Sequence, residues 1–151
     1  MTEPTVLPES TALRIVRRIL LVALWLGVIG TGVELLLLEH YEEWRQIIPL
    51  GLLGAGLLAL GWHAVNRSAA PLRALQVLML MFVIAGVTGV LLHYRGNAEF
   101  ELEMYPSNAG WELFRKSMMG ATPALAPGTL VQLALIGLAY SYRHPLLRRD
   151  T

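Results

Sequence analysis

Residues 19–38 read ILLVALWLGVIGTGVELLLL, an apolar run in which Glu34 is the only charged residue. As a helix rising about 1.5 Å per residue, this run spans roughly 30 Å, one hydrocarbon thickness. A cleaved signal peptide is the competing reading. Its apolar region runs to only about 7–15 residues and ends at a small-residue cleavage site. Here the run is longer and is followed by Glu39-His40-Tyr41. The stretch therefore predicts a transmembrane helix, capped by Ser10 or Thr11 and carrying Arg14, Arg17 and Arg18 in its first turns.

Three further runs repeat the pattern. Residues 47–64 form a second span, with Pro49 near enough to its start to be tolerated. A tight link, Asn66 to Pro71, leads to a third span at 75–92. The fourth is expected at 127–143, about 25 Å long, with Pro145 beyond it. The expected fold is an all-α membrane protein, one domain over 1–151, with four transmembrane helices. Met1 to Glu9, polar and holding Pro4 and Pro8, reads as a disordered tail.

Composition agrees. The chain has 151 residues, 55% hydrophobic and only 15% charged, against about 25% charged in a soluble domain. At this length there is room for one compact unit. A net charge of +1 argues against a nucleic-acid partner. The absence of cysteine excludes disulfides, iron–sulfur clusters, thiolate metal sites and cysteine nucleophiles.

Charge placement sets the expected orientation. Eight arginines (14, 17, 18, 67, 73, 143, 148 and 149) fall on one side, and Arg45, Arg95, Arg115 and Lys116 on the other. The positive-inside rule places the first side, with both termini, in the cytoplasm of an inner membrane. Tyr41, Trp44 and Tyr94 mark the outer boundary, and Trp62, Tyr140 and Tyr142 the inner one.

The outer segment, 94–126, is the least generic part. Glu99 to Met104 alternates strictly between glutamate and apolar residues. An extended chain would put Glu99, Glu101 and Glu103 on one face; a helix capped by Asn97 would align Glu99 with Glu103. Hard cations want several carboxylate oxygens, but no calcium-loop spacing is present, so a solvated face is the plainer reading. Asn108 to Met119 fits a short amphipathic helix lying in the interface, with Trp111, Phe114 and Met118 on one face. Gly120 suits its stop.

Few residues offer chemistry. Glu34 lies inside the first span, about 6 Å from its outer end. A carboxylate at membrane depth is a candidate proton or cation site, and Gln132 and Arg95 are its expected neighbours. At so shallow a depth, structural pairing is the plainer role. His40 and His93 fall at outer helix ends beside Glu39 and Glu43. If the first and third helices are neighbours, they are candidate ligands for haem iron, zinc or copper. Interfacial hydrogen bonding is the ordinary role for such histidines. His63 and His144 read as boundary residues at the inner ends.

Gly51, Ala55 and Ala59 recur every four residues in the second span, and Ala85 and Gly89 in the third. Such faces let helices approach closely in lipid, within one chain or between chains. Motifs for metalloproteases, serine hydrolases, phosphate loops and dinucleotides are absent, so no cofactor and no enzymatic activity is expected.

Three functions follow as expectations. The first is a non-catalytic accessory or assembly subunit, contacting lipid and a membrane-protein partner or further copies of itself. The second is an oligomeric proton- or cation-coupled transporter using Glu34. In helix number and in Glu34 alone, the chain resembles the small multidrug resistance exporters. The shallow carboxylate and long outer segment depart from their compact plan. The third is a haem- or metal-binding protein using His40 and His93.

Overall fold

A computed structural model describes residues 10–147 of the chain. The expected tail, Met1 to Glu9, and the terminal arginines Arg148 and Arg149 lie outside the described residues. Five α-helices follow in order: α1 Thr11–Leu37, α2 Trp44–Val65, α3 Ala69–Met104, α4 Gly110–Met118 and α5 Gly128–Ser141. A 3-10 turn, Pro145–Leu147, follows α5. No strand occurs among the described residues.

α1, α2 and α3 are long and apolar enough to cross a membrane. α5 is apolar but has only 14 residues. On α1, Ile15, Ile19, Val22, Leu26, Ile29 and Val33 stand exposed at alternating spacings of four and three residues. That is one complete face of a helix. In water so long an apolar face would drive aggregation; in a bilayer it is the face lipid wets. The chain is an all-helical protein of the membrane type.

α1, α2, α3 and α5 form a ring in which each packs on the next, and α5 closes it between α3 and α1. Leu24, Val28, Leu53, Leu72, Met79 and Phe82 fill its centre. Glycines set the spacing. A Cβ on Gly56 of α2 would lie 3.2 Å from the Phe82 ring of α3. One on Gly86 of α3 would lie 2.9 Å from the Pro127 carbonyl oxygen and 3.2 Å from the Val131 amide nitrogen. Gly89 takes the Pro127 ring, and Gly137 of α5 takes Met79. The close contact of α3 therefore runs through Gly86 and Gly89, whereas Ala85 is only half-buried.

The third helix is longer than the apolar run within it. The alternation at 99–104 is compatible with either an extended or a helical chain, and α3 continues unbroken through these residues. Its 36 residues make a rod of about 54 Å. Lengthening an existing helix needs no new nucleus, whereas an alternating segment without a neighbouring strand has nothing to pair with. Good helix formers at Ala98, Glu99, Glu101, Leu102, Glu103 and Met104 assist. Pro106 follows the end of the helix. Asn97 is thus a mid-helix residue and not a cap.

Gly86 and Gly54 make a matched test. Gly86→Ala pushes a methyl against backbone that cannot rotate away, and should lower stability by about 1–3 kcal/mol. A Cβ on Gly54 would meet nothing within 4 Å, so Gly54→Ala should be neutral or raise stability by up to about 1 kcal/mol. Thermal unfolding in detergent reads both. Equal effects would mean that the close α3–α5 approach is absent in solution.

Candidate functional site

The ring has two polar ends, and the one at the α1 C-terminus holds most of the expected site residues. α1 ends in a Schellman-type turn: the His40 amide donates to the Leu35 carbonyl at 2.9 Å and the Glu39 amide to that of Leu36 at 3.1 Å. This geometry puts Glu39 in the left-handed region, at φ 52°. Glycine usually fills that position, so glutamate there carries a strain of order 1 kcal/mol. The turn carries His40 toward α3.

His93 meets it there. The two imidazole centroids are 6.4 Å apart, with planes inclined at 60°. Nδ1 of His93 lies 3.1 Å from the Pro123 carbonyl oxygen, which fits an Nδ1–H donor and leaves Nε2 with a lone pair. Glu39 and Glu43 are not gathered with the two imidazoles: among the described residues, no group of three or more His, Asp or Glu has metal-binding spacing. Glu43 is instead the residue before α2, and its amide donates to Oε1 of Gln46 at 3.0 Å. His40 is held below its ordinary pKa, first by partial withdrawal from water and then by the charge of His93.

Glu34, Gln132 and Arg95 are all exposed, and neither an ion pair nor a hydrogen bond joins them among the described residues. Beyond His93, Asn97 pins the segment around Ser117 and Thr122 to α3. It is buried, and its Nδ2 donates to the carbonyls of Ser117 at 2.9 Å and Thr122 at 2.7 Å. Its Oδ1 accepts from the Thr122 amide at 3.3 Å. A Cβ on Gly120 would lie 2.5–2.8 Å from the end of that side chain, so glycine there serves close approach as well as helix termination. α4 keeps Ser117 buried, with Trp111 and Phe114 stacked 5.2 Å apart and exposed.

The small-residue positions of α2 divide. Ala59 is buried and Ala55 half-buried. Gly51 is exposed with nothing near it, and so is Gly54; Gly61 likewise has no atom within 4 Å. The three glycines share one side of the helix with the exposed Leu58.

The other end holds a cluster whose members read in the sequence as separate boundary residues. Arg17 is buried and forks onto the end of α5. Nη1 donates to the Tyr140 carbonyl at 2.6 Å; Nη2 donates to those of Tyr142 and Arg143 at 3.0 and 3.3 Å. His63, also buried, places Nε2 2.6 Å from the Tyr140 hydroxyl. His144 stands 5.3 Å from the Tyr140 ring and 6.1 Å from that of His63. The local signal is thin: Tyr140 and His144 are four apart, but Arg17 and His63 arrive from the opposite half of the chain.

The depressed pKa of His40 has a signed consequence. As pH falls through 6.5 the unfolded chain takes up a proton before the folded one does. This contribution to stability is complete above pH 6.5 and is lost below it. Melting temperature should fall between neutral and mildly acidic pH, and that of His40→Gln should fall less. Parallel losses in both proteins would remove His40 as the cause.

No family model matches this chain, and neither a curated protein nor a solved structure matches it.

Proposed function

We propose that the protein is a non-catalytic subunit of the inner membrane, which associates through α2 with a second membrane helix, supplied by a partner or by another copy. The observation that carries this is the bare glycine face of α2, with Gly51 and Gly54 exposed and Gly61 half-buried, none of which would bring a Cβ within 4 Å of another group. Each glycine in a helix costs about 1 kcal/mol relative to alanine. Gly56, Gly86, Gly89 and Gly137 have contacts within the chain that require them; these three have none. In lipid, a bare backbone stripe is what lets another helix approach closely.

In the same reading α5 is the fourth span. Its 14 residues cover about 21 Å, supplemented by the turns at 124–127 and 145–147, and mild thinning of the bilayer accommodates the rest. Four spans put both termini on one side, and the arginine-rich end faces the cytoplasm. α4 then lies at the outer interface with Trp111 and Phe114 toward the headgroups.

Leucine at Gly51 and Gly54 together would block that face without touching the ring. The expected result in a gently purified preparation is loss of the associated subunit, read by native mass spectrometry, with the melting temperature of the isolated chain unchanged. An assembly indifferent to both leucines would refute the α2 face as the contact.

A second reading is favoured by the His40–His93 geometry. Two imidazoles holding one ion from opposite sides, at about 2 Å each, have centroids roughly 6 Å apart. His40 and His93 would be the residues that hold a haem iron or a copper(I) ion, which would supply redox chemistry. His93→Ala should then remove a retained haem or copper mass and its absorbance while α2-mediated association persists. A wild-type preparation that takes up neither group when offered haem or copper(I) would rule out this role.

A further inference from the structure

We propose that the arginine-rich end of the ring is a binding site for the phosphate headgroup of an anionic phospholipid. A cavity of about 290 Å³ opens there, lined by Arg14, Arg17, Arg18 and Arg67 with Tyr140 and His144. No carboxylate among the described residues lines it. Its volume is several times the roughly 30 Å³ that one water occupies, so a headgroup-sized anion fits.

The arginines come from separate elements. Arg14 and Arg18 are one turn apart on α1, and Arg67 sits in the link between α2 and α3. Arg17 already grips the α5 carbonyls and so holds the back wall in place. The Arg14 guanidinium is steadied by Thr11, whose hydroxyl accepts from Nη2 at 3.1 Å. Guanidinium groups bind phosphate oxygens through paired N–H donors, and convergent arginines add charge to that geometry.

The surroundings select a lipid over a soluble anion. Leu21 forms the apolar side of the cavity. Ile15, Ile19 and Val22 stand exposed on the same turns of α1 that carry Arg14 and Arg18. An amphiphile satisfies both surfaces at once, with its phosphate among the guanidiniums and its acyl chains along the isoleucines. Basic pockets between helices at a membrane surface recognise anionic headgroups in this way.

The test is native mass spectrometry of the protein titrated with phosphatidylglycerol or phosphatidylcholine in detergent. The wild type should bind phosphatidylglycerol at least about tenfold more tightly. Each basic residue near a headgroup contributes roughly fivefold, so Arg18→Gln with Arg67→Gln should weaken phosphatidylglycerol binding by about 25-fold. Phosphatidylcholine binding should be unchanged in that variant, and Arg95→Gln at the opposite end should leave the binding of both lipids unaltered. If the double variant does not fold, Arg18→Gln alone should show the fivefold loss. Equal binding of the two lipids by the wild type would overturn the proposal, and so would an equal loss in Arg95→Gln. Displacement of phosphatidylglycerol by millimolar inorganic phosphate would overturn the lipid assignment and make the ligand a soluble phosphoanion.

Discussion

The forked grip of Arg17 on the last carbonyls of α5 holds the ring closed. α5 is the shortest of the apolar helices, and its last residues, Tyr140 and Ser141, are buried. The closing carbonyls of any helix lack partners within it. Where water is scarce, each would cost on the order of 1–3 kcal/mol if left bare. One guanidinium meets that of Tyr140 in the last turn and those of Tyr142 and Arg143 just beyond it, a favourable positive charge at a helix C-terminus. A lysine, with a single point of charge, cannot reproduce that fork. The interaction joins residues more than 120 positions apart, and other contacts gather around it. His63 reaches Tyr140, and Nε2 of Gln76 donates to the Ser141 hydroxyl at 3.2 Å.

The glycines of α2 and those that face α5 differ in what a side chain there would meet. Gly86 and Gly137 let α5 sit deep between its neighbours, where a methyl would meet backbone or a packed methionine. Gly51, Gly54 and Gly61 lie on the outside of α2, where a methyl would meet nothing. Sequence spacing alone groups Gly51 with Ala59, because four-residue intervals look the same on an inward and an outward face. Only the order of helices around the ring tells them apart.

The three long apolar runs were legible because their length is a physical requirement of the bilayer and is written contiguously. The outer segment was less so. Alternation at 99–104 is a period-two pattern, yet it is overruled by the helix already running into it. Asn97 looked like a cap because its partners, Ser117 and Thr122, lie 20 and 25 residues further along. The approach of His40 to His93 was legible only as a condition on helix adjacency, which the structure does not meet: α1 and α3 are not neighbours in the ring, and the turn at Glu39 is what brings His40 to His93. The clustering of Arg17, His63, Tyr140 and His144 had little local signature beyond the four-residue spacing of Tyr140 and His144, since three helices and a turn contribute to it.

The unbroken course of α3 has a mechanical meaning. The residues beyond Leu92 extend the rod by about 18 Å past its apolar stretch, and Asn97 fastens α4 and the following loop to that extension. The cap formed by α4 and that loop is therefore carried on a rigid lever whose other end sits in the bundle beside the 3-10 turn after α5. A tilt of α3 by only a few degrees, as a change in bilayer thickness would impose, swings the cap sideways while leaving its height above the membrane nearly fixed.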